Sequence, residues 1–321
     1  MKNAGSQLSN PFSTGGGGPR FENQVQSAFV VLMLTGGTAP CVRPLPIKKI
    51  KLQGKYDGYN TDDFIVFLEA PKGDPKAKLL AQIKHSIIIS ENDPVFAEVI
   101  QAAWSDFQDH SLFDPATDAI ALITGPLSAT DIENARVLLE RARHSATAKE
   151  FFDKVKLGKF TSEIQRKKLK AFRSQLEKAN GNKDIGDESL WLFLKSFRLL
   201  GYDLDEKSGV TLSLLHSHLA QFQCGDAPGL WAKIAEEVES FNQNAGTITI
   251  ETLSSEIKMS LSQHAPVAHI PAELLKQGAA ATAAEFIQGE KGNVLALASL
   301  LGAWNEKSQG DQEAIKRLLD Q

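Results

Sequence analysis

Along residues 21–35 the apolar positions Phe21, Val25, Ala28, Phe29 and Leu32 recur at helical spacing, and Gly36-Gly37 supplies a stop. Residues 42–52 contain two prolines and end in Ile47-Lys48-Lys49-Ile50-Lys51-Leu52, which fits a short strand. Two stronger strands are expected at 63–68 and 79–89; the second carries Ile83, Ile87, Ile88 and Ile89, a β-branched load suited to burial. Glu91-Asn92-Asp93-Pro94 has the form of a helix start. Behind it Val95, Phe96, Val99, Ile100, Ala103, Trp104 and Phe107 keep the helical period. Residues 118–126 predict another strand, closed by Gly125-Pro126, and 131–144 a helix facing it. This interleaving over residues 20–145 predicts an α/β layer with a mixed sheet.

Beyond about residue 145 the pattern changes. Amphipathic runs dominate at 146–156, 162–179, 187–200, 209–223 and 229–243, and only Thr247-Ile248-Thr249-Ile250 looks like a strand. The expectation is a mainly helical region over 146–321 that links or assembles, with no internal repeat. At the other end, residues 1–19 are polar and include the run Gly15 to Gly18, which reads as a flexible or capping segment.

Composition narrows the class. A hydrophobic share of 42% is ample for a core, and a net charge of -4 argues against a passive nucleic-acid coat without excluding a local basic site. Cys41 and Cys224 are too few and too far apart for a disulfide framework or a zinc site. The start lacks the apolar core of a signal peptide, and the longest apolar segment, 28–34, is too short to span a bilayer. A cytoplasmic protein with no membrane partner is expected.

The chemistry concentrates in Thr61-Asp62-Asp63-Phe64-Ile65-Val66-Phe67 and Leu80-Ala81-Gln82-Ile83-Lys84-His85-Ser86. Residues two apart on a strand share a face, so Gln82, Lys84 and Ser86 project together. Only one of Asp62 and Asp63 can point to the same place. Asp63, which directly precedes the apolar run, is preferred, with Asp62 as the alternative. On neighbouring strands, the Asp63 carboxylate and the Gln82 carbonyl oxygen could hold Mg2+, which keeps open positions for water and phosphate. Lys84 could lower the pKa of an attacking water or stabilise charge as it develops. Glu22, at the start of the first helix, is available as a second carboxylate.

The set Arg20-Phe21-Glu22, Asp62-Asp63-Phe64-Ile65-Val66 and Gln82-Ile83-Lys84, followed by Phe96 and Trp104, resembles the PD-(D/E)xK nuclease superfamily. More narrowly it is similar to the Mrr-like, Cap-type endonuclease domain of bacterial antiphage systems. That domain stands at the N-terminus of STAND or NACHT-type ATPases and of CBASS effectors that sense cyclic oligonucleotides. The resemblance covers about residues 10–145. It implies a restriction-endonuclease-like mixed sheet flanked by helices, and a double-stranded DNA endonuclease using Mg2+, with Mn2+ able to substitute. It further implies that Asp63 is the metal-binding aspartate, Gln82 replaces the usual Glu, Lys84 is the motif lysine and Glu22 the helix-borne acid. Glu22, Asp63 and Gln82 are then the metal ligands. The Gln-for-Glu exchange departs from the broad superfamily pattern but is common in the Mrr-like branch.

The stretch from Leu190 to Lys195 through Gly201-Tyr202-Asp203-Leu204 resembles the segment joining such nucleases to a downstream NTPase. No Gly-x-x-x-x-Gly-Lys-Ser/Thr occurs, so the expectation is either a longer protein that adds a C-terminal NTPase or sensor domain, or a partner that supplies the regulation. Gating of the nuclease by homo-oligomerisation follows as an expectation. The rival expectation is a nuclease-like fold kept for assembly or DNA holding without catalysis. His216-x-His218 has the wrong spacing for a shared helix face, His264 and His269 lack partner ligands, and Arg166-Lys167-Lys168 with Lys170 and Arg173 reads as a solvated helix face.

Overall fold

The helix foreseen over 21–35 is α1, Gly17–Leu34, in a computed structural model that describes residues 17–206, 208–222 and 226–262. It begins earlier than the apolar period suggests, with Pro19 in the first turn, where a missing N–H is tolerated. The expectations for the rest of the Gly-rich start, for Cys224, for His264 and His269, and for helices beyond residue 262 lie outside the described residues.

Three strands follow as an antiparallel meander: β1 (Ile47–Leu52), β2 (Phe64–Glu69) and β3 (Lys76–Ile83). Helix α2, Pro94–Gln108, starts as the sequence foretells: the Asp93 side chain accepts a 2.7 Å hydrogen bond from Phe96 N, and Pro94 opens the first turn. It returns the chain to β4 (Ala119–Thr124), parallel to β3. The helix expected at 131–144 is a π-helical turn, Asp131–Arg136, running into α3, Val137–Arg143. Helices α4 (Ala148–Lys156), α5 (Glu163–Ala179) and α6 (Gly186–Ser196) then follow.

Two features depart from the expected pattern. Strand β3 stops at Ile83 rather than at residue 89, because its parallel partner β4 pairs only as far as Ile83 with Ile123. Past that point the chain has no ladder to follow, and Ile88 is 66% exposed. Secondly, the helix expected to run to residue 200 ends at Ser196, and Phe197–Gly201 becomes β5, a strand parallel to β4.

After β5 come α7 (Val210–Ala220), α8 (Ala227–Gln243), the short β6 (Thr247–Ile248) and α9 (Ser255–Ser262). The result is one six-stranded mixed sheet in the order β5-β4-β3-β2-β1-β6. Both of its edges come from beyond residue 145, so the sheet does not close at the boundary that the change in sequence pattern marks.

Strand alternation divides the core in two. Phe64, Val66, Leu79, Ala81, Ala121 and Ile123 face α1, α7 and α8. Ile65, Leu80, Ile120, Leu122 and Leu199 face α2 and α3 to α6, where Phe96, Trp104, Phe172 and Phe193 fill the space. Sheet strands that are apolar on both faces require helices on both faces, and that is the arrangement found.

Candidate functional site

The register of β2 on β3 places the chemistry. Phe64 lies opposite Ala81, so one step outward Asp63 comes opposite Gln82. Gln82 Nε2 donates to Asp63 Oδ2 at 2.9 Å, and the backbone N–H of Ile83 donates to the same oxygen. Asp63 is therefore the member of the Asp-Asp pair that turns toward Gln82. Asp62 stays close enough for its charge to be felt by both Asp63 and Glu22.

Glu22 arrives from α1, close enough for its charge to act on Asp63. Gln26, one turn along the helix, bridges the two: its Nε2 lies 2.9 Å from Glu22 Oε1 and 3.3 Å from the backbone oxygen of Asp63. Asn242, at the end of α8, donates to Glu22 Oε1 at 3.2 Å. Lys84 is the first residue beyond β3, and its backbone N–H is held at 2.9 Å by Ile123 O of β4. From there its ammonium acts electrostatically on both carboxylates. Glu22, Asp63, Gln82 and Lys84, distant in sequence, thus converge at one end of the β2–β3 pair. Ser86, expected to share their face, is exposed in the irregular segment after β3.

The electrostatics follow from this crowding. Burial, joined by the negative charge of Glu22, pushes the Asp63 carboxyl up to about 7, against the opposing pull of the Ile83 N–H and Lys84. Burial also raises Glu22, which the hydrogen bonds from Asn242 and Gln26 and the charge of Lys84 only partly offset. Two neighbouring carboxylates that resist ionisation are held in a place short of positive charge.

A divalent cation suits that deficit. Its donor set would be Glu22, Asp63 and Gln82, all oxygen ligands of the hard kind that Mg2+ accepts. The Gln26 Oε1 atom, buried and without a hydrogen-bond partner, offers a further carbonyl oxygen beside them. Gln82 now turns its amide nitrogen to Asp63, so service as a ligand requires the amide to rotate and present its oxygen. Among the described residues no group of three His, Cys, Asp or Glu side chains forms a metal cluster, which leaves the amides an essential share of the ligation.

Several positioning residues carried little sequence signal. Asp106, fully buried on α2, accepts from Asn60 N at 2.8 Å, Asn60 Nδ2 at 3.0 Å and Thr61 N at 2.6 Å, clasping the segment that delivers Asp63. Gln26 could have been suspected as a polar residue four places after Glu22 on the apolar side of a helix. Asn242 could not, since its partner lies 220 residues away. Beside Lys84, the His85 ring nitrogen Nε2 sits 2.8 Å from Asp205 Oδ2, and the ring meets Phe21 edge-on.

The other candidates fall away. His216 packs near Trp231, and His218 Nε2 lies 2.7 Å from Thr35 Oγ1, so the two histidines have separate surroundings. Most of the basic run on α5 is paired: Lys167 with Glu163, Lys168 with Asp131, Lys170 with Glu91 and Arg173 with Asp187, while Arg166 donates to Thr161 O at 2.7 Å. No described helix is long and apolar enough to cross a membrane.

No protein-family model matches the chain, and no curated protein matches it. Among solved structures it is similar to the Cap4 SAVED/CARF-domain receptor of Acinetobacter baumannii, determined with the cyclic trinucleotide 3'3'3'-cAAA, at 12% identity and a TM-score of 0.40. The match covers 83% of this chain and 60% of the receptor, so the chain spans less than two thirds of that protein's length. At that TM-score the likeness does not establish a shared fold.

Proposed function

We propose that this chain is a metal-dependent double-stranded DNA endonuclease, an effector of antiphage defence gated by oligomerisation. The observation that carries the chemistry is the meeting of Glu22, Asp63, Gln82 and Lys84 at the open end of β2 and β3. The defence role and the gating rest on the resemblance of these motifs to the Cap-type endonuclease domain.

Each residue has a task that its surroundings support. Asp63 and Glu22 supply negative charge to the cation, while Gln26 and Asn242 fix the direction of Glu22. Gln82 holds Asp63 and, once rotated, adds a carbonyl oxygen. Bound there, Mg2+ would supply Lewis-acid stabilisation of the phosphate and lower the pKa of a water. Lys84, whose backbone N–H is anchored by Ile123 O of β4, carries an ammonium whose charge acts on both carboxylates and favours the negative charge that builds on the phosphate oxygens. Asp106 keeps the approach to Asp63 rigid, which a site working by placement needs.

A second reading has one observation in its favour. Gln82 and Asp63 satisfy each other, an arrangement that also suits a nuclease-like fold retained for assembly or for holding DNA. Cleavage of linear duplex DNA with Mg2+, comparing wild type with Lys84→Ala over a range of protein concentrations, separates the two. The nuclease reading predicts cleavage that rises with assembly and falls at least about 100-fold in the variant. No cleavage at any concentration favours the non-catalytic module.

A further inference from the structure

Next to the carboxylates lies an open hollow of about 580 Å3, lined by Gln53, Tyr56, Asn242, Gln243, Asn244 and Ala245. Its volume falls within the roughly 300–1,000 Å3 of small-ligand sites. The hollow and the carboxylate site are physically joined. Gln53 N donates to Asp63 O at 3.2 Å and Gly54 N to Asp62 O at 2.7 Å. Asn242 links them a second time, accepting from Gln53 Nε2 at 2.9 Å while it donates to Glu22.

The lining has an unusual chemistry. Four of the six residues carry amide side chains, none is charged, and Tyr56 is 83% exposed on the turn Gly54–Asp57. An uncharged wall is a poor place for phosphate. Amides offer donors and acceptors side by side, the pattern that matches the edge of a nucleobase, and an exposed aromatic ring offers a stacking face. Among the described residues, the Gln243 side chain and Gln53 Oε1 make no hydrogen bond within the protein, so these groups are available to a ligand.

Backbone conformation sets two of the walls. Gln53 (φ 52°) and Ala245 (φ 47°) both occupy the left-handed region, which non-glycine residues seldom adopt. The 245 turn is also fastened to β1, with Lys51 Nζ 3.0 Å from Ala245 O and Leu52 N 3.0 Å from Gly246 O. Two disfavoured conformations in the lining of one hollow are retained where the surroundings demand them.

We propose that this hollow binds an extrahelical nucleobase, turned out of the duplex or carried by a single strand, of the strand whose phosphate reaches Asp63 and Lys84. Tyr56 stacks on the ring, and its edge meets the Gln243 amide with the Gln53 and Asn244 carbonyl oxygens, since Gln53 Nε2 donates to Asn242 and Asn244 Nδ2 to Ser240 O at 2.8 Å. The proposal rests on the nuclease reading for the identity of the strand.

The test reads binding rather than cleavage. Full-length protein carrying Asp63→Asn is titrated with a short single-stranded DNA containing one 2-aminopurine, whose fluorescence is quenched on stacking. Quenching on binding is expected, with affinity lowered about tenfold by Tyr56→Ala and restored by Tyr56→Trp. Replacing the 2-aminopurine by an abasic site should remove the difference between Tyr56→Ala and its parent. Equal affinity and equal quenching in Tyr56→Ala overturn the proposal, as does a Tyr56 effect that persists on the abasic strand. If duplex cleavage proves independent of Lys84 while the Tyr56-dependent quench remains, the nuclease reading fails and the base site stands.

Discussion

Asp63 shows the structural cost of burying one carboxyl beside another. Its folded-state pKa, raised to about 7 by burial and by Glu22, lies well above its ordinary value. The folded protein therefore binds this proton more tightly than the unfolded chain does. Stability associated with Asp63 is fully present at acid pH, below the ordinary carboxylate range, and is lost as pH rises through about 7. In metal-free protein, Asp63→Asn should stabilise the fold near pH 8 by on the order of 2 kcal/mol and have little effect near pH 4. Urea denaturation at the two pH values checks this; a variant less stable than wild type near pH 8 contradicts it. Mg2+ should narrow the gap by stabilising only the wild type. Strand alternation in the sequence tied Gln82 to Lys84, whereas Asp63 stood only as a preference over Asp62, which the β2–β3 register and the Gln82 hydrogen bond decide. Asn242 and Asp106 were not legible there, since each acts across 45 or more residues and their type alone carries no sign of a partner; Gln26 gave only the local hint of its place one helical turn after Glu22.

At the level of elements, the site depends on how β3 and β4 end. Lys84 is held by Ile123 O, and Gly125 N is held in turn by His85 O at 2.9 Å. A Cβ at position 125 would stand 2.9 Å from that same His85 oxygen, so a side chain there must displace backbone. Gly125→Ala should cost about 1–3 kcal/mol and shift Lys84, reducing cleavage more than DNA binding. Thermal denaturation together with single-turnover cleavage would show this; an active, fully stable variant would mean that the strand ends can move freely. The apolar period revealed α1 and α2 well, since long amphipathic helices repeat their signal several times. It concealed β5. Phe197-Arg198-Leu199-Leu200 follows α6 with no Gly or Pro between, and five residues are too few for alternation to stand out from a continuing helix. Pairing with β4, a tertiary event, decides that segment's conformation.

On the scale of the whole molecule, the described residues to Leu261 form one compact unit in which a single sheet gathers strands from both halves of the sequence. The α/β layer of residues 20–145 was legible, but its completion was not. Residues beyond 145 supply β5 and β6, and the α8 helix that brings Asn242 to Glu22. A chain ending at residue 145 should therefore lack a cooperative unfolding transition and expose the apolar surfaces of β4 and α2, whereas one ending at residue 262 should unfold cooperatively. Circular dichroism melts of the two chains distinguish the cases. A cooperative melt from the shorter chain would show that the N-terminal layer is self-sufficient.

The central claim is that Glu22, Asp63, Gln82 and Lys84 form one metal-dependent phosphodiester-cleaving centre. Its most direct test is supercoiled-plasmid cleavage at saturating Mg2+ by wild type, Asp63→Asn and Lys84→Ala, each first shown to be folded. The account predicts cleavage by the wild type that chelation abolishes, and loss of at least about 100-fold in both variants. Equal cleavage by all three proteins, or wild-type cleavage indifferent to chelation, would contradict it.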